Sequence, residues 1–157
     1  VLGIKRETDY AVRTVLHLAS LGGKTQVQVR DIADQRLLPL SFVRRIVARL
    51  SAAGILATIC GMGGGIALAR PAAQISLLDV VHAMEGKIAL NQCLEPQHSC
   101  PLADHCPAQN VWAETTAILE AHLASVRFDS LAAGTPQHTD AHRKLVAAPG
   151  GGKAPKK

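Results

Sequence analysis

Aromatic residues are nearly missing from this chain: one Trp, one Tyr and two Phe make up 3% of 157 residues, although apolar residues reach 48%. A core of that composition must be assembled from Ala, Val, Leu and Ile, which suits packed helices better than sheets. No apolar run of about 18 residues occurs, so no membrane-spanning helix is expected. The N-terminus also lacks a basic stretch leading into an apolar one, and the chain reads as soluble, unexported and cytoplasmic. Cys-x-x-Cys pairs, which would suggest a zinc knuckle, are absent. No Ser/His/Asp or Cys/His set is spaced to order a nucleophile and a base, and the seven histidines are scattered, so no enzyme is expected.

The charge that is present is uneven. Residues 24–70 carry +5 and residues 71–132 carry −5, while 1–23 and 133–157 carry +1 and +4. A basic block confined to one internal segment points to a polyanionic partner for that segment.

Periodicity divides the chain into helices. Val12, Val15, Leu16 and Ala19 mark an amphipathic helix from Thr8 to Leu21, ended by Gly22 and Gly23. A short second helix fits Val29 to Arg36, and Pro39 breaks the pattern behind it. Ser41 offers an N-cap for a third helix that buries Phe42, Val43, Ile46, Val47 and Leu50 and closes at Gly54. Ile55 to Cys60, a glycine run at 61 and 63–65, and Ile66 to Ala69 read as a β-hairpin. Ser76 and Asp79 stand in capping-box spacing for a helix ending before Gly86. Pro107 opens a long helix with a seam at Trp112, Thr116, Leu119, Leu123 and Val126, which must pack on its own domain or on a second protomer.

Two helices around a tight turn, the second exposing arginines and followed by a glycine-rich hairpin, predict a winged helix-turn-helix. The expected class is mainly α: a winged helix-turn-helix domain over 1–72, a cluster-binding loop and dimerisation helix over 73–132, and a flexible tail over 133–157. Ser41, Arg44 and Arg45 lie on the outward face of the recognition helix, where an arginine reaches guanine O6 and N7 or a phosphate. Arg49 and Arg36 are placed for backbone contacts. The wing glycines, Gly63 and Gly64 among them, are expected to supply positive φ and close approach to a sugar–phosphate strand.

Cys93, Cys100 and Cys106 share one irregular loop, with six and then five residues between them. Thiolates so placed suit an iron–sulfur centre, and zinc held by the three with His98 or His105 is the other metal option. The fourth cysteine, Cys60, belongs to the wing.

With these residues in view the chain resembles the IscR/NsrR family of iron–sulfur transcription regulators, the Rrf-type winged-helix repressors, from about Ile4 to Leu131. The resemblance rests on Thr8-Asp9-Tyr10-Ala11-Val12-Arg13, Asp31-Ile32-Ala33, the Pro-x-x-Phe opening of the recognition helix and Arg-Leu-Ser-Ala-Ala-Gly-Ile-Leu. The wing run Gly61-Met62-Gly63-Gly64-Gly65, the three cysteines and Trp112 complete it. It implies a homodimer on partly palindromic double-stranded operator DNA, with an iron–sulfur cluster, 4Fe–4S ahead of 2Fe–2S, governing affinity in response to nitric oxide, redox or iron status. Two departures stand out. Most relatives carry arginine where Cys60 precedes the glycine run, and the IscR-like branch has histidine where this chain has Gln109. NsrR-like members use an aspartate of the other protomer, a place taken here by Asp9, with His105, Glu7 and His98 as fallbacks. The alternatives are a clusterless thiol-redox or partner-controlled regulator of the same fold, and a cluster protein that only carries electrons.

Overall fold

The computed structural model describes residues 3–23, 25–61, 63–95, 100–101 and 105–134. Among these residues eight helices and strands follow in order: α1 (Arg6–Ser20), α2 (Val29–Arg36), α3 (Leu40–Ala52), β1 (Leu56–Ile59), β2 (Gly65–Leu68), α4 (Leu77–Glu85), α5 (Pro107–Ser125) and α6 (Phe128–Gly134). Single 3₁₀ turns sit at Ala72–Gln74 and Gln92–Leu94.

One core joins α1, α2, α3, the hairpin, α4 and α6. Its centre is aliphatic, with Val15, Leu18, Ile32, Ile46, Leu50, Ile66 and Val80 fully buried, and Phe128 is the one aromatic among them. α1 runs through the middle, against α3 on one side and α4 and α6 on the other. For that reason its buried set is Ala11, Val15, Leu18 and Ala19 with Thr8 and Thr14. The expected stripe shifts accordingly: Val12 and Leu16 are only half-buried, and so is His17, which the periodicity placed on the outer side. The Thr14 hydroxyl is satisfied by donating to the Tyr10 carbonyl at 2.8 Å.

α2 and α3 form the helix-turn-helix. α2 ends with Leu37 in the left-handed region at φ 54°, while Leu38 N–H donates to the Ala33 carbonyl at 2.8 Å and Leu37 N–H to Asp34 at 3.3 Å. That closure ordinarily takes glycine, and a side chain there costs roughly 1–2 kcal/mol. The N-cap of α3 is Pro39, not Ser41: extended at φ −59°, ψ 128°, Pro39 accepts from Phe42 and Val43 N–H, which puts Ser41 inside the first turn without a capping bond. At the other end Gly54, at φ 67°, closes a Schellman motif, with Ile55 N–H on the Leu50 carbonyl and Gly54 N–H on Ser51.

The hairpin pairs Leu56 with Leu68 through Ile59 with Gly65, antiparallel. Val27 adds a third edge by exchanging two 2.9 Å bonds with Ile66, a bridge that one valine between two glutamines did not announce. The capping box of α4 forms as expected, with both Ser76–Asp79 bonds present.

The long helix is two helices. Between α5 and α6 the chain is extended: Leu77 N–H donates to the Val126 carbonyl at 2.9 Å and Phe128 N–H to Ile75 at 3.0 Å. No glycine or proline marks this break, which follows from burying Phe128 against α1. α5 packs on α4 through buried Thr116 and a 3.1 Å contact of Glu120 with His82 Nε2. Its Val111, Trp112, Ile118 and Leu119 stay exposed. Among the described residues no helix is long and apolar enough to cross a membrane.

Candidate nucleic-acid interface and cysteine loop

α3 presents its arginines by burying Val43, Ile46, Val47 and Leu50, which leaves Ser41, Arg44, Arg45 and Arg49 outward. The three guanidiniums nevertheless differ. Arg45 lies over the Phe42 ring at 5.0 Å, and Phe42 packs edge-on to Tyr10 at 5.6 Å. Arg45 Nε also stands 3.8 Å from Glu7 of α1, while Arg49 Nη1 is 3.6 Å from the same carboxylate. Arg49 Nη2 further donates to the Met84 carbonyl, so this side chain clasps α1, α3 and α4 together. Arg44 has no ion-pair partner among the described residues, and it faces the wing. Arg36 closes α2, but its side chain lies outside the described residues.

The wing glycines act in two ways. Gly61 and Gly63 adopt positive φ, 111° and 83°. Gly64 and Gly65 do not, and the strand they approach closely belongs to the protein itself. A Cβ on Gly64 would lie 2.2 Å from the Ile59 carbonyl oxygen, and one on Gly65 2.6 Å from that of Val27. Gln28 Nε2 donates to the Gly64 carbonyl and fastens the wing to the start of α2. Between α2, α3 and the wing lies an open groove of about 540 Å³, lined by Gln28, Arg30, Asp31, Arg44, Thr58 and Gly64 among others. Arg30 and Gln28 were not marked by the sequence, since an arginine at the second position of a short helix carries no periodic signal.

At the root of α1, Glu85 is ringed by donors: Lys5 N–H at 2.9 Å, the Thr8 hydroxyl at 2.8 Å and Lys5 Nζ at 3.5 Å. Burial pushes its carboxyl up, but the Lys5 and Thr8 hydrogen bonds and the Lys5 charge outweigh burial and hold it below its ordinary 4.5. Asp9, in the first turn of α1, pairs with Arg13 at 2.9 Å on the surface.

In the cysteine loop Cys93 lies in the turn Gln92–Leu94, Cys106 is the N-cap residue of α5, and Pro107 opens that helix. All three loop thiols are half-buried and free of disulfides, and Cys60 is exposed at the wing. Gln109 Nε2 donates to the Cys93 carbonyl at 3.2 Å and its N–H to Cys106 at 3.1 Å, so both ends of the loop are fastened to the first turn of α5. His105 is exposed beside them, whereas His98 lies outside the described residues, as does the tail from residue 135 onward. Three soft thiols suit an iron–sulfur centre chemically. Among the described residues, however, no three of His, Cys, Asp or Glu come together as a metal site.

Comparison with known proteins extends these observations. The Rrf2 family profile, described as an iron-dependent transcriptional regulator, matches residues 4–134. Protein aau3 of Rhizobium meliloti is 36% identical over 104 residues, 66% of this chain and 67% of that protein. The HTH-type transcriptional regulator IscR of Cronobacter sakazakii is 26% identical over 145 residues, covering 88% and 89% of the two chains. Among solved structures, CymR, the global cysteine regulator of B. subtilis, superposes with a TM-score of 0.70 over 87% of this chain and all of its own, at 24% identity, which speaks to the winged-helix fold.

Proposed function

The chain belongs to the Rrf2 family, and from that premise we propose that it is a homodimer whose affinity for double-stranded operator DNA is set by an iron–sulfur cluster. That it is a DNA-binding transcriptional regulator follows from the family and the fold. The cluster reading is carried by three half-buried, unbridged thiols, Cys93, Cys100 and Cys106, on one loop whose ends Gln109 fastens to α5. These three would hold the group, with 4Fe–4S the proposed nuclearity and Asp9 from the second copy the proposed fourth ligand. Bound there, it would supply sensitivity to nitric oxide, oxygen or iron supply.

Asp9 stands two residues from Glu7, which touches Arg45 and Arg49. The turn of α1 that offers a ligand thus also contacts the recognition helix. Exposed Val111, Trp112, Ile118 and Leu119 on α5 support the homodimer, because a second copy would remove them from water at about 25 cal/mol per Å². The operator contacts proposed are Ser41, Arg44 and Arg45 of the recognition helix, on base edges or a phosphate, Gly63 and Gly64 at the wing, and Arg36 and Arg49 on the backbone. The cytoplasm is the proposed compartment.

A second reading, thiol-redox control without a cluster, is favoured by one observation: the described residues bring no three donors together. Anaerobic purification separates the two. Brown protein with labile sulfide and an iron–sulfur Mössbauer spectrum bears out the first, whereas colourless protein with titratable thiols overturns it in favour of the second. An Asp9→Ala protein that kept both its cluster spectrum and its nitric oxide response would remove Asp9 from the ligand set.

A further inference from the structure

The groove between α2, α3 and the wing holds two arginines of different origin. Arg44 comes from the recognition helix, while Arg30 is the second residue of α2 and reaches the groove from the opposite wall. Neither has an ion-pair partner among the described residues, in contrast to Arg45 and Arg49. Asp31 is the acid among the lining residues, so the lining carries two arginines against one carboxylate. At about 540 Å³ the groove is far larger than the roughly 30 Å³ share of a water molecule, and it opens to solvent along the edge of the wing. The third wall is not held by the hairpin alone. Gln28 donates to the Gly64 carbonyl, and Val27 bonds twice to Ile66, so the segment entering α2 sets how far the wing stands from α3. The side chain of the N-cap residue Gln28 does not cap α2.

We infer that this groove seats one sugar–phosphate strand of the operator, with Arg30 opposing Arg44 as a phosphate contact and Gln28 as the positioning residue that fixes the wing wall. The inference rests on the DNA-binding function and names the residues that carry it outside the recognition helix. A phosphate, not a base edge, is the fitting occupant: the groove is open and its two arginines come from different helices, α2 and α3, and guanidiniums bind a tetrahedral anion without needing a base-specific plane.

The test is fluorescence anisotropy of the full chain with its own promoter fragment across a salt series. Arg30→Gln is expected to weaken binding about three- to tenfold near 0.1 M salt, equally for specific and scrambled duplexes, and to lower the salt slope by about one per protomer, about two for the homodimer. Arg127→Gln removes the same charge outside the groove and is expected to leave the slope unchanged. Gln28→Met, which cannot donate, is expected to weaken binding with the slope intact and to speed amide hydrogen exchange at Gly61–Ile66. An Arg30→Gln slope equal to wild type, or an equal loss in Arg127→Gln, overturns the phosphate role. Unaltered exchange in Gln28→Met overturns the positioning role. Failure of the wild-type chain to bind any duplex would instead overturn the DNA-binding function itself.

Discussion

Glu7 of α1 holds Arg49 of the recognition helix, carboxylate to guanidinium, at 3.6 Å. The other end of the same guanidinium bonds to the Met84 carbonyl, so an exposed arginine of α3 is engaged in tying three helices together. Arg49→Ala should therefore cost stability in addition to the backbone contact proposed for it. Leaving a carbonyl and a carboxylate without their partner costs on the order of 1–3 kcal/mol, visible as a lower urea midpoint. Arg44→Ala, by contrast, should leave the midpoint within about 0.5 kcal/mol and cut DNA affinity. Equal stability losses in the two variants would contradict this division.

Glu7 also restrains Arg45, whose Nε stands 3.8 Å away. Converting the carboxylate to an amide releases that guanidinium toward phosphate. Exposed pairs of this kind are worth about 0.2–1 kcal/mol, so Glu7→Gln is expected to raise operator affinity by up to about fivefold at low salt. The gain should shrink as salt rises, since both the pair and the new contact are screened. A variant that binds more weakly would show Glu7 to be orienting Arg45 for DNA.

The Glu85 carboxyl is held below 4.5 by the Lys5 and Thr8 donors and the Lys5 charge, against the opposing effect of burial. A carboxyl depressed in the folded state stabilises above its unfolded value, and that contribution is lost as pH falls through the folded one. Wild type should thus exceed Glu85→Gln in stability near neutral pH, with the gap closing below about 4.5. Paired denaturant titrations along a pH series measure it, and a gap that widened on acidification would reverse the sign.

At Gly65 a Cβ would stand 2.6 Å from the Val27 carbonyl oxygen, a backbone atom that cannot swing away. Gly65→Ala is expected to part the Val27–Ile66 bridge and to cost about 1–3 kcal/mol. DNA affinity should fall with it, because the wing loses its anchor to α2. An unchanged melting temperature and an unchanged amide exchange at Val27 would show that the bridge accommodates the methyl group.

Where the signal was local, it survived folding. Ser76 and Asp79 close their box, Pro107 starts α5, Gly54 ends α3, and Val43, Ile46, Val47 and Leu50 face inward. Each rests on bonds or contacts within a few residues. The misreadings came where partners far apart in the chain intervene. Phe128 breaks a continuous helical pattern because Ile75 and α1 claim it. Likewise the close approach of Gly65 to the Val27 carbonyl comes from a segment far away in the chain.

The amino-acid order by itself determined a helix-turn-helix followed by a wing, because hydrophobic period, proline and glycine act through the backbone they belong to. It equally placed three thiols on one loop. Which arginine stays without an ion pair among the described residues, Arg44, and which clasps α1 to α4, Arg49, was decided only in three dimensions, since a guanidinium on a helix surface takes whichever carboxylate or carbonyl packing brings near. The groove of Arg30, Arg44 and Gln28 has the same origin: its walls are separate segments that become neighbours only when Val27 joins the sheet.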